Sequence, residues 1–227
     1  MAVAAVWAAT AGCADVEGLR SEGDLGEVHA PLTLWPELRP EPPPAEANRG
    51  QPAPVPGIAE RPGQSMRGAD ALAVVRADIT AATRQDGGTG RLVDPRAVQR
   101  LALCEDGGDG GPDCPVRPPV LHDLTHDGKE ELITAVDIDG RISELRVYTV
   151  RPDGTVTRIL SRRGVLTGVE VAADHLAVRE PTSNDKLVAI TDYVWSPATA
   201  VMELTALTLD ECPDGTESTT PCPPGGT

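Results

Sequence analysis

The chain has 227 residues, with 35 acidic side chains against 20 Lys and Arg, for a formal charge of −15. That charge excludes nucleic acid as a natural partner, because each phosphate contact would be made against the protein's own field. There is no Phe, and three Trp and two Tyr stand beside 22 Pro and 23 Gly, so the core has to come from Val, Leu, Ile and Ala, and part of the chain is expected to lie outside it.

Residues 1–12, MAVAAVWAATAG, are an uncharged apolar run, too short to span a bilayer permanently but the length of a signal-peptide hydrophobic region. The run stops at Cys13. The tetrad Thr10, Ala11, Gly12, Cys13 matches a bacterial lipobox, in which small residues precede a Cys whose sulfur takes a diacylglycerol; Thr10 stands where Leu is commoner. A signal peptide opens with Lys or Arg, and the first basic residue is Arg20, so a basic segment is expected upstream of Met1. The expectation is a signal peptide remnant over 1–12 and a lipoprotein acylated at Cys13, palmitate included, on the extracytoplasmic face of the cell membrane. The competing reading is an ordinary apolar helix with a buried Cys. Against it stands the polar, helix-poor sequence that follows, which offers such a helix nothing to pack on.

Residues 14–66 hold nine acids, four Arg and a dense Pro series from Pro31 to Pro62. Such a stretch cannot bury enough apolar surface to offset its ordering entropy, which predicts a disordered, partly polyproline II tether reaching on the order of 160 Å if extended. One patch differs. In Ala30 to Leu38, Leu32, Leu34 and Trp35 are apolar enough to dock on the domain or on a partner.

A folded domain is expected over 67–212. Leu72, Val75 and Ile79 make one stripe of a helix capped by Asp70 and stopped by the Asp-Gly-Gly after Gln85; a shorter helix fits Asp94 to Leu103, with Asp94 as N-cap and Pro95 at its first position. After Pro119 the period becomes two. Strands are predicted at Val120–Leu124, Glu131–Asp137, Ile142–Val150, Thr155–Ser161, Val165–Val171, His175–Arg179, Leu187–Trp195 and Ala200–Leu209. Short turns at Asp139-Gly140, Pro152-Asp153-Gly154 and Ala173-Asp174 imply hairpins rather than parallel crossovers. The fold expected is therefore α+β, two N-terminal helices packed on an antiparallel meander sheet of seven or eight strands, with a loose tail over 213–227.

Five Cys less a lipidated Cys13 leave four, an even number that suits an exported protein with two disulfides. Three pairings are open. The local one, Cys104 with Cys114 and Cys212 with Cys222, is favoured because each pair encloses a short loop rich in Gly, Pro and Asp. The alternatives are four free thiols in a cytoplasmic protein and a zinc site; the latter lacks a C-x-x-C spacing, and its only His pair, His122 and His126, lies in a strand-to-turn segment.

The segment Asp123 to Glu131, DLTHDGKEE, places oxygen ligands at relative positions 1, 3, 5 and 9, with Gly128 at position 6 for the sharp turn. A hard cation needs that convergence of oxygens. The ligands of a structural Ca²⁺ would be Asp123, Thr125, Asp127, the Lys129 carbonyl and Glu131. Thr125 is neutral where Asp or Asn binds better, and Lys129 brings its own charge to the site. The loop resembles the D-x-[DNT]-x-D-G-x-x-[DE] loop of FG-GAP and VCBS repeats, which those families also set between two strands. It occurs once, since Asp137-Ile-Asp-Gly140 has the turn without the later ligand. The alternative is a plain Asp127-Gly128 hairpin turn capped by Asp123.

No nucleophile elbow and no P-loop occur. Asp137 and Asp139 read as solvated turn acids, His175 as a surface residue at a strand start, and Arg158, Arg162 and Arg163 as the one basic cluster, on a solvated strand end. The lipobox with Ala14 to Arg20, the Leu34-Trp-Pro36 patch, Ala71 to Asp78, His122 to Gly128 and Arg179 to Asn184 together resemble a family of actinomycete cell-envelope-stress lipoproteins. The resemblance implies a non-catalytic, membrane-anchored negative modulator of a stress-response sigma factor and sensor-kinase system. Its partner would be a sensor-kinase ectodomain or a cell-wall component. The alternative function is a calcium-stabilised wall-binding or adhesion-type module.

Overall fold

The computed structural model describes residues 32–34, 52–63, 65–85, 95–104, 113–184 and 186–211. In chain order these form β1 (Leu32–Thr33), β2 (Ala53–Pro54), α1 (Ala71–Gln85), α2 (Pro95–Leu101), β3 (Val120–His122), β4 (Glu131–Asp137), β5 (Ser143–Val150), β6 (Val156–Gly164), β7 (Gly168–Ala172), β8 (His175–Pro181), β9 (Leu187–Ser196) and β10 (Val201–Glu211). Sheet I has the order β1-β7-β8-β9-β10 and sheet II the order β2-β6-β5-β4-β3. Every pairing is antiparallel.

The eight longer strands and both helices stand where the hydrophobic periods place them, but the expectation of a single meander sheet is corrected to two sheets. After β6 the chain leaves sheet II, and it opens sheet I at β7. Val165, Leu166 and Thr167, the connection, are fully buried. The reason is burial: folding one sheet onto the other covers two apolar faces at once, whereas an open eight-stranded sheet would leave one wet. Leu145, Val147, Ile159 and Leu160 of sheet II meet Val169, Leu176, Val178, Tyr193 and Met202 of sheet I in this inter-sheet core. A bulge in β6 opposite Val147 and Tyr148 lets both Ile159 and Leu160 point into it.

A second core lies on the other face of sheet II, under the helices. Leu72, Val75 and Ile79 of α1 and Leu101 of α2 pack there with Leu132, Val136, Tyr148 and Val150. Asp70 caps α1 through its Oδ1, which accepts the Ala73 amide at 3.0 Å. Two turns further in, Asp78 is buried rather than solvated. It accepts from Arg146, from the Tyr148 hydroxyl at 2.9 Å and from Arg158 Nη1 at 2.6 Å. Arg146 also donates to Glu144 Oε1 at 2.7 Å, which the Ser161 hydroxyl reaches at 2.7 Å. Two acids thus face two arginines beneath a helix, where an unpaired charge would be costly. Burial pushes the Tyr148 hydroxyl well above its ordinary range. Arg158, expected at a solvated strand end, is instead a member of this network.

The predicted tether is also corrected at its C-terminal end. β2 pairs with β6, Val55 and Met66 are buried in the helix-side core, and the Met66 amide donates to the Glu130 carbonyl at 2.9 Å. The Pro series does not prevent this, because an edge strand needs no amide on its outer side and Pro lacks one. Leu32 and Thr33 pair through their backbone with β7, and Leu34 of the apolar patch packs on the inter-sheet core, so the tether docks on the domain at this point. Trp35, Cys13, Cys212, Cys222 and the expected tail over 213–227 lie outside the described residues.

Candidate functional site

The loop from Asp123 to Glu130 joins β3 to β4, two paired antiparallel strands. Its backbone winds tightly: His126 (φ 57°) and Gly128 (φ 77°) both take left-handed conformations, and Gly128 stands at the position where the spacing calls for glycine. The two aspartates hold the winding. Asp123 Oδ2 accepts the Gly128 amide at 3.0 Å, and Asp127 Oδ1 accepts the Lys129 amide at 2.9 Å. Lys129 Nζ lies 3.8 Å from Asp127 Oδ2.

Glu131 enters from within the fold and is 1% exposed. Its Oε2 accepts the Leu124 amide at 2.8 Å and the Thr125 amide at 3.2 Å, while Oε1 accepts the Thr149 hydroxyl at 2.8 Å and faces the Thr125 hydroxyl at 3.5 Å. Burial pushes its carboxyl up to about 7; bonds from Thr149 and Leu124 pull the other way, and the nearby Asp123 and Asp127 add to the rise. Glu131 therefore braces the loop from inside as well as standing at its ninth position.

One oxygen is left over. Asp123 Oδ1 is buried and finds no hydrogen-bond donor. A buried carboxylate oxygen without a donor is a costly group that a hard cation would satisfy. Among the described residues no three His, Cys, Asp or Glu side chains are grouped to enclose an ion by themselves. A cation here would draw on Asp123, Asp127, the Lys129 carbonyl and water, with Thr125 and Glu131 lying inward of them. The donor chemistry, oxygen without thiolate or imidazole, fits Ca²⁺.

The loop is also tied across the sandwich. His122 Nε2 donates to the Ala173 carbonyl at 2.7 Å, and His126 Nε2 lies 3.7 Å from Asp174 Oδ2, whose other oxygen is 3.3 Å from His175 Nε2. Sequence reasoning missed this contact, since nothing in the spacing brings the turn at 173–175 to residues 122–126.

The remaining residues singled out by sequence fall elsewhere. Cys104 and Cys114 form a disulfide, the local pairing, closing the chain between α2 and β3. Asp137 accepts from Arg117 and Ser143, and Asp139 caps its own turn through the Arg141 and Ile142 amides, which hold its carboxyl below the usual range. Arg162 pairs with Glu180 between the sheets. Among the described residues no helix is long and apolar enough to cross a membrane. Comparison with family models, curated proteins and solved structures finds no match to the chain.

Proposed function

We propose that this protein is a lipid-anchored extracytoplasmic binding module, non-catalytic, that restrains an envelope-stress signalling system by engaging a sensor-kinase ectodomain or a wall component. The observation that carries the reading is the Cys104–Cys114 disulfide. A crosslink of that kind belongs to an oxidising compartment, and it accompanies an apolar run that ends in a small-small-Cys tetrad. The lipid on Cys13 would hold the chain at the membrane, and the Pro-rich segment would set the reach of the two-sheet domain. Two measurements test this. Mass spectrometry of the mature protein should find an acylated N-terminal Cys13, and deletion of the gene should raise output from an envelope-stress promoter. An intact Met1, or unchanged promoter output, would sink the reading.

A second reading, a calcium-stabilised wall-binding module, draws on the orphaned Asp123 Oδ1. The ion would neutralise converging carboxylates and fix the loop between β3 and β4. Calorimetric titration of the intact chain with CaCl₂ should give heat and a raised melting temperature, both lost in Asp123→Ala. Absence of heat removes the ion, and binding to purified wall polymer would favour this reading over the first.

A further inference from the structure

The open edge of sheet I is a long apolar strand. Across the β9–β10 ladder, Leu204 lies opposite Tyr193, Leu207 opposite Thr191 and Leu209 opposite Ala189. Opposed residues share a face, and Tyr193 belongs to the inter-sheet core, so the three leucines stand on the inner face of sheet I. The bulge between Leu204 and Ala206 makes this possible: the extra residue, Thr205, puts Leu204 and Leu207 on one face although three positions separate them. Yet Leu204, Leu207 and Leu209 are 51%, 63% and 60% exposed. The inner face therefore runs past the part that sheet II covers. On its outer side β10 has no neighbouring strand among the described residues, leaving a row of backbone donors and acceptors beside the leucine stripe.

Charge selects the occupant. β10 carries Glu203, Asp210 and Glu211 and no basic residue, and Asp192 lies on the strand beside it. A second copy pairing antiparallel about Leu207 would set Glu203 against Glu211, and a half-step shift would set Glu203 against Asp210. A parallel pair would stack each acid on its own copy. Like charges placed opposite one another destabilise a ladder, so these three self-pairings are opposed, and the acids of β10 and Asp192 favour a strand that brings cations.

We propose that β10 is a docking edge for an extended segment of another protein in which apolar residues alternate with Lys or Arg, added as a sixth strand to sheet I. Its backbone pairs with β10, its apolar side chains cover Leu204, Leu207 and Leu209, and its cations meet the acids of the opposite face and the strand end. The inference rests on reading the domain as a binding module, but its failure is separable from that reading, since the promoter experiment does not depend on β10.

The test uses the full chain and two synthetic probes, acetyl-Lys-Val-Lys-Leu-Lys-Val-Lys-amide and its counterpart with Glu in place of Lys. The basic peptide should bind about ten-fold or more tighter than the acidic one and should slow hydrogen exchange at the β10 amides. The double variant Leu207→Thr, Leu209→Thr, which keeps strand propensity and charge, should weaken binding by about ten-fold while the melting temperature stays near that of the parent. Leu207→Thr alone serves if the double variant does not fold. Unchanged β10 exchange with the peptide bound, equal binding of the two peptides, or a dimer whose β10 amides are protected without peptide would each overturn the proposal.

Discussion

Glu131 Oε2 accepts the Leu124 amide at 2.8 Å from a side chain closed off from solvent at one end of the inter-sheet core. The carboxyl is held near 7, above the 4.5 of the unfolded chain, so the folded state binds this proton more tightly. Its contribution to stability is complete below about pH 4.5 and is lost as pH rises through about 7. With calcium chelated, the urea midpoint of the parent should fall relative to Glu131→Gln between pH 5 and 8. The 2.5-unit difference (7 − 4.5) corresponds to about 3 kcal/mol at most. A difference between the two proteins that stays flat with pH would remove the buried carboxyl as the cause.

Asp78 on α1 anchors the helix to two strands through Arg146 and Arg158. Asp78→Ala should cost about 3–5 kcal/mol, because it leaves the Arg146 guanidinium, itself 1% exposed, without one of its two acids. Replacing both members of the Asp78–Arg146 pair, Asp78→Leu with Arg146→Met, should recover part of that loss. Chemical denaturation of both variants checks the pair. An Asp78→Ala protein as stable as the parent would show that Glu144 alone suffices for Arg146.

Residues 52–63 and 65–66 pack with the domain, and two substitutions probe this from opposite sides. Met66→Ala removes a side chain 1% exposed in the helix-side core and should cost about 2–5 kcal/mol. Gly154 has φ 91°, and a Cβ there would come within 2.8 Å of the Pro62 nitrogen, so Gly154→Ala should both strain the hairpin and push residues 61–63 away. Limited proteolysis should then cut near Arg61 in the Gly154 variant and not in the parent. Identical cleavage patterns would argue that the segment does not depend on this contact.

Much of this architecture is legible locally. Asp70 caps α1 because a short acceptor before an apolar stripe reads the same in sequence and in space, and the strands follow their period of two. The Cys104–Cys114 pairing follows from loop length. What is not legible depends on distant partners. The stretch from Gly164 to Gly168 carries nothing to distinguish a hairpin from a crossing between sheets, and a Pro-rich run reads as a tether whether or not an edge strand receives it. Arg146 and Glu144 alternate with Leu145 and Val147 as a solvent-facing row would, and only α1 lying over them turns that row into a buried network. At the loop, the order of oxygen side chains that a calcium ion would require is visible in sequence. That Glu131 spends its oxygens on Leu124, Thr125 and Thr149 is not, because Thr149 arrives from β5.

The Cys104–Cys114 bridge encloses a loop with a sequence separation of 10 between α2 and β3, and Arg76 on α1 donates to the Cys104 carbonyl at 2.6 Å. Breaking the bridge frees the unfolded chain, which the chain-entropy estimate values at about 2–3 kcal/mol for so short a loop. It also loosens the carbonyl that Arg76 holds. Cys104→Ser with Cys114→Ser should therefore lower the melting temperature by about 5–10 °C, and dithiothreitol should lower that of the parent by a similar amount while leaving the double variant unmoved. A parent protein insensitive to reductant would mean that the bridge is not formed, and with it would go the main support for an oxidising compartment.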